Sequence, residues 1–322
     1  MNNMARLTLD EVQPLLTNPN HHGSDLTRIN DFFECSITKQ RYPIINNESI
    51  DFLSGEISSE KLKKFTKKKT LIFKLNEYYN RHLEQRIYHS ILAAGGPGII
   101  RNDIKVTKWL STTKGIILDV GCGDNKLEKF IPNGSKYIPL DYAPAAFSSP
   151  WRETNPQINA DGMKLPFKSK TLDCVINLMV IEHVTQPSVL IKELSRVLRP
   201  GGVLILSGPG DITLSHGEPH NYYNLTRHAY KMLLESNNMS IVEDYYPSRF
   251  WMSISMLIYH KIVRNNWYNK NSLTKLLQLI IFIISLPISP LINLIAQGLD
   301  FFTPFDHRGY SIYTVLCKKN SN

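Results

Sequence analysis

The chain has 322 residues, 42% of them hydrophobic, enough to bury the core of one large domain with additions. Its formal charge of +9 suits an acidic partner such as a lipid headgroup or nucleic acid and says nothing of fold. The four cysteines, Cys35, Cys122, Cys174 and Cys317, form no C-x-x-C pair, so neither a disulfide framework nor a zinc site is signalled.

The opening "MNNMARLTLDEVQPLL" lacks a basic end followed by an apolar stretch and a small-residue cleavage site, which leads us to expect an intracellular protein. Residues 1–60 are polar and turn-rich, with "NPNHHGSD" reading as a loop and "RYPIINNESIDFL" as a short strand pair. A region over 61–114 follows. It begins with the lysine run "KLKKFTKKKT", a solvated helix start or an anion contact. "LIFKLNEYYNRHLEQRIYHSIL" then repeats apolar residues every three or four positions, as an amphipathic helix does, and "AAGGPG" is expected to end it.

From residue 115 strands alternate with helices. "GIILDV" is a buried strand leading to a glycine turn and a short helix at 126–130; "KYIPLD", a weaker "QINAD" and "TLDCVINLMV" are the next three strands. "PSVLIKELSRVLRP" reads as a helix with Pro187 in its first turn, stopping at Pro200-Gly201-Gly202 before the strand "VLILSG". A helix "TRHAYKMLLESN", a strand "SIVEDYY" and a closing strand "GYSIYTVLCKK" complete the series. The alternation implies an α/β fold, a mostly parallel sheet with helices on both faces.

In such sheets ligands sit beyond the carboxyl ends of the strands. The turn "ILDVGCGD" lies there, and glycine lets backbone approach a ligand closely. A dinucleotide site would want a third glycine at position 126, where Lys126 stands. Asp119, Asp141 and Asp161 instead end three successive strands. Any one alone reads as a turn former or cap; together they suit the ribose hydroxyls and adenine amine of S-adenosylmethionine.

"ILDVGCGD", "YIPLDYAP", "ADGMKLPFKSKTLDCVINLMVIEHV" and "ELSRVLRPGGVLILSGPG", in that order, resemble the class I S-adenosylmethionine-dependent methyltransferases of the type 11 branch. The resemblance covers about 115–247 and resumes at 309–318. It implies a Rossmann-like seven-stranded sheet whose last strand is antiparallel. Asp119, Gly121, Cys122 and Gly123 would hold the methionyl end, Asp141 and Tyr142 the ribose, and Asp161 with Gly162 the adenine. Asn177 and Leu178 would line the site. Asn125 stands where a third glycine is common, and asparagine tolerates left-handed backbone. A fainter likeness makes "CSITKQRYPIINNESIDFL" resemble the closing half of a zinc-ribbon-like module with its ligands eroded, Thr38 standing at a cysteine position, so no zinc is expected.

Methyl transfer to a phenol or alcohol needs a base, and His183 in "IEHV" is the candidate, with packing or capping as its alternative role. "SHGEPHNYYNLT" reads as a lid carrying His216, His220, Tyr222 and Tyr223, with His220 a second catalytic candidate. Members of the resembled family often have an aspartate and an arginine where Asn221 and Asn224 stand. "NLMV" after the fourth strand argues against base-amine methylation, and Glu182 alone supports no magnesium site. The reading is a methyltransferase for a small or lipid-like acceptor; an RNA methyltransferase and a non-catalytic cofactor-binding relative stay as alternatives.

Between the last two strands, residues 248–308 form an insertion too long for a hairpin, uncharged from Leu276 to Leu299. Pro287 and Pro290 should break a single helix there and permit a re-entrant turn. A cytoplasmic protein held peripherally on a membrane is the favoured expectation. A soluble lid or dimer face and a true span are the alternatives, and the oligomeric state is left open.

Overall fold

A computed structural model describes residues 6–45, 47–53, 90–142, 156–214, 220–261, 272–305 and 307–321. The lysine run and the amphipathic segment up to residue 89 lie outside the described residues.

Twelve strands form one sheet: β1 Thr17–Asn18, β2 His21–Ile29, β3 Phe32–Cys35, β4 Arg41–Ile45, β5 Ser49–Asp51, β6 Ile116–Val120, β7 Lys136–Asp141, β8 Ile158–Asn159, β9 Leu172–Leu178, β10 Leu198–Pro209, β11 Met239–Tyr245 and β12 Ile312–Lys319. Their spatial order is β1-β2-β3-β4-β5-β8-β7-β6-β9-β10-β12-β11. The run from β8 to β10 is parallel, while β12 is antiparallel to both β10 and β11. This is the expected seven-stranded arrangement, with strand order reversing about β6 so that a crevice opens at its carboxyl end.

The two faces follow the period of two. Ile117, Cys174, Ile176 and Ile205 pack with Val106, Trp109 and Leu110 of helix α2. Their neighbours Leu118, Val175, Leu204 and Leu206 point the other way, into a core shared with Leu190, Leu194 and Val197 of α3 and Tyr230 and Leu234 of α4. Here α1 is Leu9–Val12, α2 Gly96–Leu110, α3 Pro187–Val197 and α4 Arg227–Glu235.

Several local expectations need correction. Helix α2 begins at the glycines expected to end a helix: Gly95 takes a left-handed φ of 83° as N-cap, and Pro97 sits in the first turn where its missing N–H costs nothing. Helix α3 stops at Val197, before Pro200, because strand β10 already starts at Leu198. The short helix at 126–130 is one 3₁₀ turn, Glu128–Phe130.

The polar segment expected as a loop is largely strand β2, whose residues alternate between buried Ser24 and Leu26 and exposed neighbours. The zinc-ribbon-like reading of this region is not supported. Strands β2 to β5 form an antiparallel ladder that joins the domain through β5 against β8, with the expected pair β4–β5 as its last step. Cys35 is buried, with Sγ 3.3 Å from Ser24 Oγ and accepting the Thr38 N–H at 3.3 Å. Burial pushes this thiol up, but hydrogen bonding by Ser24, Thr38 and Asn18 outweighs it and brings its pKa to about 6. Asn18 Nδ2 donates to Thr38 Oγ1 at 3.0 Å, so a hydrogen-bonded network fills this corner. Among the described residues no group of three or more His, Cys, Asp or Glu could hold a metal ion.

The insertion folds as α5 Phe250–Tyr259 against α6 Ser272–Phe302. Contrary to expectation, α6 is one helix of 31 residues that runs through both Pro287 and Pro290, about 46 Å long. The prolines take the N–H partners from the carbonyls of Ile283 and Leu286. Around them Ser285 Oγ donates to the Phe282 carbonyl at 2.7 Å and Ser289 Oγ to that of Ser285 at 2.8 Å, side-chain bonds back to the preceding turn.

Candidate active site

Strand β6 ends in Asp119-Val120 and enters the turn Gly121-Cys122-Gly123. Gly121 has φ +81°, and a Cβ there would come within 2.2 Å of Val180 Cγ2, in the turn after β9. Only glycine lets these two turns close on each other. Gly123, with φ +53°, has nothing within 4 Å of where a Cβ would be, so this side of the turn faces open space. Asn125 takes φ +55°, the left-handed backbone expected where a third glycine is common.

The acids occupy different depths. Asp141, 9% exposed at the end of β7, accepts the Gly123 N–H at 2.9 Å and the Tyr142 N–H at 2.7 Å. It ties the second strand end to the glycine turn and remains at the surface of the crevice. Asp119 is 3% exposed and accepts the Tyr137 hydroxyl at 2.7 Å. Burial pushes its pKa up to about 7; the Tyr137 bond works against this, and the nearby Asp141 charge adds to it. Asp119 therefore stands behind the turn, a setting that holds Tyr137 and the turn in place. Tyr137 gave no signal in the sequence beyond being an inward aromatic on β7.

Asp161 accepts the Met163 N–H at 2.8 Å, closing a turn in which Gly162 lies against Leu190 and Val120. Asn177 is wholly buried on β9, and its Nδ2 donates to the Val120 carbonyl at 3.0 Å, at the base of the glycine turn. Its Oδ1 has no partner among the described residues. Leu178 packs on the α2 side of the sheet. Tyr142 is 40% exposed beside Asp141, and Cys122 is nearly buried within the turn. Asp119, Gly121 to Gly123, Asp141 and Asn177 thus meet around one strand end, with Asp161 following the neighbouring β8.

The turn after β9 carries the candidate base. Met179 has φ +55°, an uncommon conformation for a side chain of its size, and Val180 above Gly121 leads into a 3₁₀ turn, Ile181–His183. His183 Nδ1 lies 2.7 Å from the His220 carbonyl oxygen. A carbonyl only accepts, so Nδ1 carries a proton, and in the neutral form of the ring Nε2 is then the acceptor. Nε2 is 3.8 Å from Glu182 Oε1, a wholly buried carboxylate able to stabilise an imidazolium. The Glu182 carbonyl also accepts the Tyr222 N–H at 2.7 Å, tying the segment after β10 to this turn. Tyr223 hydroxyl donates to the Thr185 carbonyl at 3.0 Å. The His220 ring is exposed, 3.3 Å from Tyr222 Oη, so this residue meets His183 through its backbone. His216 lies outside the described residues.

The donor set is acidic. Asp141 supplies a carboxylate bonded to the glycine turn, with the buried Asp119 behind it. That suits a ligand bearing an ammonium, a sulfonium and a ribose diol, and would repel a pyrophosphate. The residues present fit S-adenosylmethionine.

Comparisons with known proteins agree at the level of the domain. Residues 118–206 match the family model described as "Methyltransferase domain". A "Probable S-adenosylmethionine-dependent methyltransferase" of Mycolicibacterium smegmatis is 34% identical over 105 residues, covering 31% of this chain and 40% of the relative. An "Uncharacterized methyltransferase" of Mycobacterium leprae is 35% identical over 109 residues, covering 31% and 40%. The chain thus spans under half the length of these curated relatives. A crystal structure of a SAM-dependent methyltransferase from Archaeoglobus fulgidus is 14% identical with a TM-score of 0.44, covering 74% of this chain and 100% of that one. Residues 118–206 are thus similar to the methyltransferase domain of S-adenosylmethionine-dependent relatives, and they lie within a sheet that continues on both sides of them.

Proposed function

We propose that the whole protein is an S-adenosylmethionine-dependent methyltransferase acting on a small or lipid-like acceptor at a membrane surface, on the cytoplasmic side. The observation that carries the transferase reading is the acidic pair around the glycine turn, with the Asp141 carboxylate bonded to the Gly123 N–H at 2.9 Å.

When bound, the cofactor supplies an electrophilic methyl group on a sulfonium. Asp141 and Tyr142 would receive its ribose, Gly121 to Gly123 and Cys122 its methionyl end, and Asp161 with Gly162 its adenine. Asp119 acts from behind through Tyr137, and Asn177 offers a buried oxygen beside the turn. Leu178, following Asn177 on β9, lends packing. His183 takes a proton from an acceptor hydroxyl at Nε2, and the resulting imidazolium is held between the His220 carbonyl and Glu182. His220 positions the base through that carbonyl.

The membrane reading rests on an inverted helix. The inner stripe of α6 carries Ser289, Asn293 and Asp300, all nearly buried, while Ile283, Ile284, Leu291, Leu294 and Ile295 are each more than half exposed. A surface helix in water has the opposite arrangement. Residues 280–302 are long and apolar enough to cross a bilayer, with mean hydropathy 2.0. Asn293 nevertheless binds α6 to the domain at Ile91, Ala93 and Gly95, and α5 packs along it, so α6 lies on the protein body with one face outward. Arg249 and Lys261 bracket α5 in sequence and Trp251 lies in its first turn, a mix of aromatic and basic residues of the kind found at lipid interfaces.

The test is incubation of the protein with methyl-labelled S-adenosylmethionine and separate lipid, small-molecule and RNA extracts. Label should enter the lipid or small-molecule fraction; label in RNA alone would overturn the acceptor reading, and no transfer to any fraction would overturn the enzyme reading.

A further inference from the structure

Beyond the carboxyl end of β10, a cavity of about 520 Å³ lies between Asp211-Ile212, the start of α5 and the segment from Asp300 to Gly309. Strands β6, β9 and β10 are parallel neighbours, so the cavity and the glycine turn share one rim of the sheet. Two strand spacings separate their strands, about 10 Å.

The wall is chemically divided. Phe250, Trp251 and Phe305 give it aromatic surface, and Arg249 and Arg308 bring cations. Among the described residues of the wall, the acids Asp211 and Asp300 are engaged in building it. Asp211 accepts the N–H groups of Gly309 and Tyr310 at 3.1 and 3.0 Å, and Asp300 those of Trp251 and Met252 at 2.9 and 3.1 Å. Gly309 is pressed against Phe250, where a Cβ would come within 2.5 Å of the ring. Arg249 donates to the Asp300 carbonyl at 3.3 Å, and its guanidinium stacks 4.9 Å from the centre of the Phe305 ring. That contact orients a fork with further N–H groups to offer, a geometry suited to phosphate. Between the lining residues Asp300 and Thr303 in sequence, Phe301 and Phe302 at the end of α6 are 81% and 83% exposed.

We propose that this cavity binds the phosphate group of an amphiphile, with Arg249 and Arg308 on the phosphate and the apolar chain against Phe301 and Phe302. The acceptor class is then a phosphorylated lipid. This rests on the membrane-surface methyltransferase reading and adds the chemical identity of the headgroup.

The test uses the full chain and three soluble probes: dihexanoyl phosphatidic acid below its micellar concentration, dihexanoylglycerol, and glycerol 3-phosphate. Calorimetry should give saturable binding of the phosphatidic acid, with each of the other two at least about tenfold weaker. The double variant Arg249→Gln with Arg308→Gln should lower phosphatidic acid affinity about tenfold or more while S-adenosylmethionine affinity stays unchanged. Equal binding of dihexanoylglycerol by the wild type overturns the proposal whatever the fold of the variant. Equal binding of glycerol 3-phosphate shows a site for free phosphate and overturns the lipid assignment. Undiminished binding by a folded double variant overturns the role of the arginines. Vesicle flotation separates this from the parent reading: if that reading fails, the wild type does not float; if only this proposal fails, it floats and the three probes are not discriminated.

Discussion

Asn293 Oδ1 accepts the backbone N–H of Gly95 at 2.9 Å, joining the middle of the longest helix to the first residue before α2. The same amide donates to the carbonyls of Ile91 and Ala93 at 2.9 and 3.0 Å, so one side chain serves three backbone groups. The polar atom of an apolar helix is thus spent on the protein, and the apolar atoms are left for something else.

Asn293→Leu should leave the buried Gly95 N–H without this partner and remove a bond from the Ile91 carbonyl, while the Ala93 carbonyl keeps the Gly96 N–H at 3.0 Å. The insertion should be destabilised by about 1–3 kcal/mol. Limited proteolysis should then cut between α5 and α6 faster than in the wild type, with S-adenosylmethionine affinity retained. An unchanged cleavage rate would mean that Asn293 does not anchor the helix.

Leu291 and Ile295 are 58% and 54% exposed on the outer face of α6. Replacing both by Glu should abolish flotation with phosphatidylglycerol vesicles at low and high salt without lowering the thermal midpoint. Apolar burial supplies most of the proposed adhesion, ~25 cal/mol per Å², and nearby cations roughly 1 kcal/mol each, so wild-type binding should be only partly salt-sensitive. Wild-type protein that stays in the soluble fraction at both salts would favour a lid or dimer face.

His183→Gln should lower turnover by ~10²–10⁴-fold with cofactor affinity nearly intact. Retained activity per folded molecule with lost stability would assign His183 to packing.

Asp119 gives a pH signature. Its carboxyl, raised by burial from 3.8 to about 7, still holds a proton in the folded chain where the unfolded chain has released it. The contribution of this group to stability should therefore be greatest below about pH 4, fall as pH rises toward 7, and level off above, a loss on the order of 4 kcal/mol. Asp119→Asn keeps an acceptor for Tyr137 and should flatten that slope. Denaturation curves from pH 4 to 8 that are superimposable for the two proteins would refute the assignment.

Much of the domain was legible because its strands are fully buried apolar runs. β6, β7 and β9 each read as one block, as does β10 from Val203, and the acids ending β6 and β7 mark the rim. The sequence hid what depends on tertiary partners. β2 looked like a loop because only alternate residues are buried. The prolines looked like breaks because propensity is local, whereas α6 is held along its length by the domain and α5. Ser285, Ser289 and Asn293 recur every four residues and could have revealed an inward polar stripe, although Gln297, next in the series, is exposed. Tyr137 behind Asp119, and Val180 over Gly121, had no signature in spacing. The sequence separates those pairs widely, and only the sheet order brings them together.

The most direct measurement is calorimetric titration of S-adenosylmethionine into the wild-type protein and Asp141→Ala. The account predicts one saturable site in the wild type, and a loss of ~1.5–3 kcal/mol of binding free energy when the charged acceptor at the ribose is removed. Equal affinity in the two proteins would remove Asp141 from the site, and a wild type that binds NADH in preference to the methyl donor would contradict the central claim.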